Sequence, residues 1–548
     1  MYIISVFKLT PMKVSFFVLT LFCVFISTFS QAHIGSAGVA YEGKIGPYQV
    51  QVFIQPPDVV PGTARVTILT DGTDIEAITL TPIYFFAGDE GSPRADLALP
   101  TLEKGQYEGT IWFMETGSAS VRVRIKGGRG TGEVAVPVGV VSTAKRSMPN
   151  STSWLLIACG LLLIGLMITI IGASNSDSLM QLGQHDSAKT KRSRIIGSVI
   201  GASLCGLVLW GGNAWWNSWA DDYRRFMFKP IMGSASISIQ EGQRKLTLQI
   251  DSTTVKNRWL SYLIPDHGKL MHLFLVRQGT MDVFTHLHPS RKDTLLFEAM
   301  LPSIPSGKYL LYADVVRYHG FAYTITDTVD IPGTPKVNAA TFKPITTDSE
   351  DTYVVTNPLN GANPLLQDAT ITQCGSPGIR TTLQDCSTIV WEEQTQKPLQ
   401  AGKFYSLKFS VLSPDKKPAQ LQPYLGIMGH AAIIKDDGSV YIHLHPTGTF
   451  SSASQQVIEK RIADTTQKFI TPSAIVFKDS IDRYLQQLQQ LPIPQRDSLL
   501  ASTMKHTVAH HATVSFPYAF PQPGNYRIWL QVKRNGRILT GVFEAKVL

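Results

Sequence analysis

The amino-acid sequence predicts a mainly β protein: three extracytoplasmic immunoglobulin-like β-sandwich modules plus two transmembrane α-helices. Three observations lead to this class. Short runs of alternating apolar and polar residues, separated by turn signals such as Pro61-Gly62 and Asp71-Gly72, recur along most of the chain. Two stretches, 154–173 and 195–216, are apolar over the length that spans a bilayer. The first residues follow the basic, apolar, small-residue order of a secretory signal.

Composition narrows the function classes. Charged residues make up 17% of the 548, below the roughly 25% of an average soluble protein. Hydrophobic residues at 44%, with 43 Gly and 32 Pro, rule out a disordered or collagen-like chain. The net charge of +9 is spread along the chain without a clustered basic patch, so no nucleic-acid partner is expected. There are five cysteines and no CxxC, which leaves zinc ribbons and thioredoxin-type sites unsupported.

The elements follow in order. Lys8 and Lys13 precede an apolar run at 14–29 and then Ser30-Gln31-Ala32, so residues 1–32 read as a signal peptide cleaved after Ala32, the alternative being an uncleaved anchor. Residues 33–142 carry strand patterns at 48–55, 64–70, 75–84, 106–113, 118–125 and 133–141, a sandwich rhythm. The span 154–173 has six Leu and five Ile and no charge. Each of those favours insertion by about 0.3–0.6 kcal/mol, roughly 3–7 in total. The loop 174–194 holds Lys189, Lys191, Arg192 and Arg194, as a cytoplasmic loop does, and 195–216 ends beside Trp210, Trp215, Trp216 and Trp219, an interfacial aromatic belt. A translocated first module followed by two spans returns the chain outside. Both large soluble parts are thus expected outside a bacterial cytoplasmic (inner) membrane.

Beyond the spans, 231–333 reads as a second β-sandwich, 334–349 as a linker and 350–548 as a third β-rich domain. The third domain contains an insertion at about 453–510, in which SIDRYLQQLQQL at 480–491 has helical spacing. Cys374 and Cys386, with eleven residues between them in a polar region, are expected to pair as a disulfide in an oxidising compartment.

The chemistry lies in the histidines. Met271-His272 is followed after thirteen residues by His286-Leu287-His288-Pro289, and Met428-Gly429-His430 is followed after twelve by His443-Leu444-His445-Pro446. In each copy an apolar run, a turn and a second strand ending in HLHP describe a hairpin; Asp437-Gly438 is a strong turn signal. Histidines at i and i+2 share one strand face, their Cα atoms about 6.5–7 Å apart. An antiparallel neighbour brings the upstream histidine opposite them. Three neutral imidazoles so placed form a transition-metal site, copper preferred and zinc possible. The expected ligands are His272, His286 and His288, and separately His430, His443 and His445. Met271, Met428, His267 and His319 are accessory candidates, as is His33, the mature N-terminus after cleavage. The trio His506, His510 and His511 reads as a solvated face. Because imidazole must be neutral to ligate, affinity is expected to weaken below about pH 6.

GPYQVQVFIQPPDVVPGTARVTI (46–68) resembles the exported sandwich domains related to YtkA and FixH. LMHLFLVRQGTMDVFTHLHP (270–289), NAWW (213–216), YLGIMGHAAIIKDDGSVYIHLHP (424–446) and FPYAFPQPGNYRIWLQVKRNGRILTGVF (516–543) resemble an uncharacterised bacterial membrane protein family. That resemblance implies the same plan of signal, sandwich, two spans and two HLHP-type modules, with an association with heavy-metal handling. The function expected is membrane-anchored extracytoplasmic metal binding, with copper the expected metal, in sequestration, delivery or sensing. The membrane is the expected partner, with another envelope or metal-transport protein as a candidate. The alternative is a non-catalytic scaffold or adhesion module with structural histidines. No nucleophile elbow, HExxH, P-loop or dinucleotide fingerprint is present, so no catalytic residue is assigned.

Overall fold

The computed structural model describes residues 36–144, 148–177, 187–255, 260–333, 348–359, 380–392, 398–464, 469–502 and 512–548. The expected signal segment with His33, the core of the expected linker, Cys374, and the trio His506, His510 and His511 lie outside the described residues. Strand makes up 44% and helix 25%, so the protein is mainly β.

Eight strands from Val39–Ile45 to Gly130–Val140 form the first sandwich. The short strand Asp96–Pro100 joins its two sheets, pairing with Gln106–Phe113 on one side and Ile75–Tyr84 on the other. Val121, Val123 and Ile125 point into the core while Arg122 and Arg124 alternate outward, the period-two pattern of a half-solvated strand.

Helices Asn150–Asp177 and Ala188–Phe226 are long and apolar enough to cross a membrane. At 1.5 Å per residue they run about 42 and 58 Å. They pack side by side where Gly172, Gly197 and Gly201 let the backbones close in. Their outer ends meet: Tyr223 Oη donates to the Ala144 carbonyl at 2.7 Å, and the Phe228 amide to the Ser142 carbonyl at 2.9 Å. The chain therefore leaves the first sandwich and enters the second module at the same end of the helical pair.

The second module stacks the sheet of Ser290–Asp293, Leu296–Met300, Gln243–Ile250 and Gly233–Gln240 on a sheet ordered Leu263–Ile264, Gly307–Arg317, His272–Arg277, Val283–Leu287, Thr352–Val355. Thr352–Val355 was expected in the third domain; its pairing with Val283–Leu287 moves the boundary past it. The third module likewise stacks Arg380–Thr382, Thr388–Trp391, Phe404–Leu412 and Thr513–Ala519 on Tyr441–Leu444, His430–Lys435, Gly524–Arg534 and Arg537–Val547. The insertion forms three helices, Ser452–Ala463, Ala474–Gln490 and Ile493–Ser502, the middle one starting earlier than its periodicity suggested. Its Ile481 and Leu485 pack on the second module's core.

The two histidine-bearing sheets then pack on each other. Leu273 and Leu275 face their own sandwich, whereas Phe274 and Val276 face the third module. Ala431 and Ile433 face inward in turn, and Ala432 and Ile434 face the second module. With both faces buried, LFLV and AAII read as continuous apolar runs rather than alternating ones. The interface is reciprocal. Tyr441 of the third module stacks on Tyr312 of the second at 4.3 Å and 7°, and Phe284 of the second stacks on Trp529 of the third at 4.9 Å and 11°. Tyr312 and Trp529 hold equivalent positions, opposite Phe274 and Ala432 in register, so the modules are related by an approximate two-fold. Buried Arg527 adds a cross-link, donating to the Met281 carbonyl at 2.7 Å and the Asn357 carbonyl at 3.0 Å.

Truncating Trp529→Ala should cost about 3–5 kcal/mol as a large buried ring is lost. Tyr441→Phe, which keeps its ring but loses the hydrogen bond to Asp314, should cost about 1 kcal/mol. Denaturant unfolding of the detergent-solubilised chain measures both; equal losses would mean that polar contacts rather than stacking hold the modules together.

Candidate metal centre

The HLHP hairpins deliver their histidines to the face between the modules. Register pairs Phe274 with His286 and Leu273 with Leu287, which sets His272 opposite His288. Ala432 pairs with His443 and Ala431 with Leu444, which sets His430 opposite His445. Each upstream histidine is preceded by a closed turn: Asp266 and Lys269 exchange backbone hydrogen bonds, as do Tyr424 and Ile427. The two central residues of each turn are left-handed, His267 and Gly268 at φ 51° and 76°, Leu425 and Gly426 at φ 53° and 86°. Glycine removes the steric cost of that conformation at the third position, and also leaves room for Leu500, which lies over both turns.

Seven imidazoles meet there: His267, His272, His286, His288, His430, His443 and His445. Nitrogen donors of His272, His286 and His288 lie within 4.8 Å of one another, and so do those of His267, His430 and His445. The structure thus gathers the first expected trio. It also gathers the second with an exchange, for His267 of the second module joins His430 and His445, while His443 stands against His430 with Nε2 3.0 Å from His430 Nδ1. The two expected sites form one continuous cluster, the rings of His272 and His443 being 5.2 Å apart.

Protonation follows from what each outer nitrogen faces. A carbonyl oxygen can only accept, so His272 Nε2 donates to the Asp266 carbonyl at 3.2 Å, and His430 Nε2 to the Tyr424 carbonyl at 3.2 Å. In the neutral rings Nδ1 is then bare. Gln531 spends its amide N–H on Thr352 Oγ1 at 2.6 Å, so its Oε1 accepts from His286 Nδ1 at 2.8 Å. His445 Nδ1 donates to the Phe450 carbonyl at 3.1 Å, and His288 Nδ1 to Asp351 Oδ1 at 3.0 Å. These three rings present a bare Nε2. His272 Nδ1 and His286 Nε2 therefore face each other at 3.0 Å with no proton between them. His288 Nε2 is buried without a hydrogen-bond partner. Two lone pairs so close repel unless a cation sits with them. Outer acceptors that fix the tautomer are the arrangement found around metal-ligating histidines.

Burial keeps the rings neutral. Desolvation, then neighbouring imidazoles and charges, holds His267, His272, His286, His430 and His443 well below the usual histidine range, and His288 down to about 3. Burial also raises Asp351 to about 7 and Asp314 to about 6. Asp314 Oδ2 lies 3.8 Å from His443 Nδ1 and accepts from Tyr441 Oη at 2.6 Å. Beside His288, Lys269 and Arg496 pair with Glu350 at 3.0 and 2.9 Å.

The remaining candidates sit elsewhere. Met271 is buried in the second module's core on the face opposite His272, and Met428 packs on the third module's core, so neither thioether joins the cluster. His319 lies among Phe85, Phe86, Tyr318 and Phe321, apart from the other histidine rings. Cys386 is exposed and forms no disulfide with another described cysteine. Sequence reasoning undervalued His267 and missed Gln531, Asp351 and Phe450. For His267 a signal existed: Pro265-Asp266-His267-Gly268 repeats the spacing of Pro423-Tyr424-Leu425-Gly426, each ending four residues before the upstream histidine. The first sandwich also reaches the centre. Phe450 inserts into its core, and Ala40 exchanges hydrogen bonds with Thr449, so the carbonyl that orients His445 is held by a module on the far side of the helices in sequence.

A family model described as a domain of unknown function, DUF8832, matches residues 385–471, the stretch that holds His430, His443 and His445. No curated protein matches the chain. Among solved structures, the chain is similar to a tetra-tandem repeat from the extending region of a large adhesion protein, at 7% identity and a TM-score of 0.15, covering 89% of this chain and 71% of that one. It is also similar to E. coli α2-macroglobulin, at 9% and 0.20, covering 93% of this chain and 23% of that one. A titin I67–I69 fragment stands at 9% and 0.14, covering 91% and 98%. Likenesses this distant say nothing about activity.

Unfolded histidines titrate near 6.5, whereas these stay neutral to lower pH, so between those values the unfolded chain binds more protons. Stability is then full above about pH 6.5 and falls as pH drops, each histidine adding at most about 1.4 kcal/mol per pH unit. Denaturant midpoints of the metal-free protein should fall steadily from pH 7 to pH 5; a flat profile would contradict a cluster of buried neutral imidazoles.

Proposed function

We propose that this protein is a membrane-anchored, extracytoplasmic metal-binding protein that handles copper by sequestration, delivery or sensing. The observation that carries the reading is the facing pair of bare nitrogens on His272 and His286, with a second close imidazole pair at His430 and His443. Buried imidazoles that are brought together and oriented by outer acceptors are the donor arrangement of a transition-metal site. Methionine does not support copper over zinc, because Met271 and Met428 face sandwich cores. The preference rests instead on the all-imidazole donor set, for which Cu(II) outcompetes Zn(II) in the general affinity order. Burial matters as well: because it keeps the ligands neutral, protons compete with the metal only at lower pH, so the onset of weakening moves below the pH 6 expected from free imidazole.

The helical pair whose ends meet on one side supports placing both soluble parts on the same face of a bilayer. The export signal at 1–32 and the basic loop at 174–194 favour the outer face of a bacterial cytoplasmic membrane. A centre there suits exchange with another envelope or metal-transport protein. Pairing of Cys386 with Cys374 belongs to the same oxidising setting.

Metal analysis of the detergent-solubilised chain after loading with Cu(II) and Zn(II) and desalting tests the reading. Copper should be retained, and His286→Ala/His288→Ala should lose at least half of it while remaining folded by circular dichroism. Retention near zero in the wild type would favour instead an envelope scaffold whose histidines are structural.

A further inference from the structure

The cluster offers more donors than one ion uses. A tetrahedral zinc or copper site takes four ligands, whereas seven imidazoles share this volume. The donors also divide in two. His272, His286 and His288 come from the second module alone. His430 and His445 come from the third and are joined by His267, whose Nε2 lies 3.2 Å from His445 Nε2. The divided sets nevertheless touch, with ring centres of His272 and His430 6.4 Å apart and those of His286 and His443 5.6 Å apart.

We infer that the interface holds two copper ions side by side, one on His272, His286 and His288 and the other on His430, His445 and the bridging His267. The inference rests on the metal-binding reading and adds the number of ions, their closeness and the module-spanning character of the second. His443, against His430 and within 5.2 Å of the His272 ring, completes the second set. Carboxylates stand behind two of the ligands, Asp351 behind His288 and Asp314 behind His443, and Asp266 Oδ1 lies 3.7 Å from His267 Nε2 on the side that faces His445.

The approximate two-fold breaks at one position with a consequence. Leu425 occupies in the third module the turn position that His267 occupies in the second. Only the second ion is therefore gripped by both modules, and filling it ties them together, while filling the first does not.

Full-length protein in detergent, loaded with Cu(II) and desalted, gives the test by metal analysis and electron paramagnetic resonance, the copper absorption edge confirming Cu(II). The result expected is two coppers per chain with a spectrum split by dipolar coupling, the line shape of isolated Cu(II) being lost. His267→Asn keeps the left-handed turn, since asparagine tolerates it. That variant should retain about one copper with an uncoupled spectrum, and His267→Gln should behave alike. Two coppers with a full, uncoupled signal would overturn the closeness of the ions. One copper in the wild type would overturn the pair while leaving the metal-binding reading intact. No copper would overturn both.

Discussion

The structure depends on how neutral imidazoles are buried together. Each buried ring carries one N–H and one lone pair, and both must be accounted for away from water. Five of the seven rings turn their N–H outward, to the carbonyls of Asp266, Tyr424 and Phe450, to Gln531 and to Asp351. The lone pairs of those five are consequently turned inward. That division decides the character of the centre: a polar core whose rim takes protons and whose middle offers lone pairs.

The rim is assembled from all three soluble modules. The turns before His272 and His430 supply acceptors within each module, whereas Gln531 of the third module orients His286 of the second, and Asp314 of the second faces His443 of the third. Asp314 and Gln531 are equivalent positions opposite His272 and His430 in register, so the exchange follows from the approximate two-fold. The first sandwich, which carries no described histidine, contributes by gripping Phe450. Leu500 of the insertion covers the turns. The modules thus serve the centre as scaffolding, and their docking, through the stacked rings of Tyr312, Tyr441, Phe284 and Trp529, brings the two hairpins together.

Much of this was legible in the sequence, for reasons that are local. Period-two alternation located six of the eight strands of the first sandwich to within three residues, passing over Val39–Ile45 and Asp96–Pro100, and the spacing of His286 and His288 placed them on one face because successive strand residues alternate. Hydropathy found both long helices. What escaped was long-range. Thr352–Val355 pairs back to Val283–Leu287 across some sixty residues, which no local pattern reports. Two trios became one cluster because LFLV and AAII are buried on both faces, and a continuous apolar run does not say what covers its second side. Of the two thioethers, Met271 is one residue from His272 and so faces the other way, whereas Met428, two residues before His430, precedes the strand and packs on the third module's core. His267 joins the cluster for a reason alternation could not express, since a left-handed turn rather than a strand aims it.

Nitrogen-detected magnetic resonance of the histidine rings in the metal-free, folded protein at neutral pH tests the central claim most directly. The account predicts neutral rings throughout the cluster, protonated at Nε2 in His272 and His430 and at Nδ1 in His286, His288 and His445. Opposite tautomers in the His272–His286 pair, or imidazolium at its centre, would contradict it, because a proton would then already occupy the place assigned to the metal.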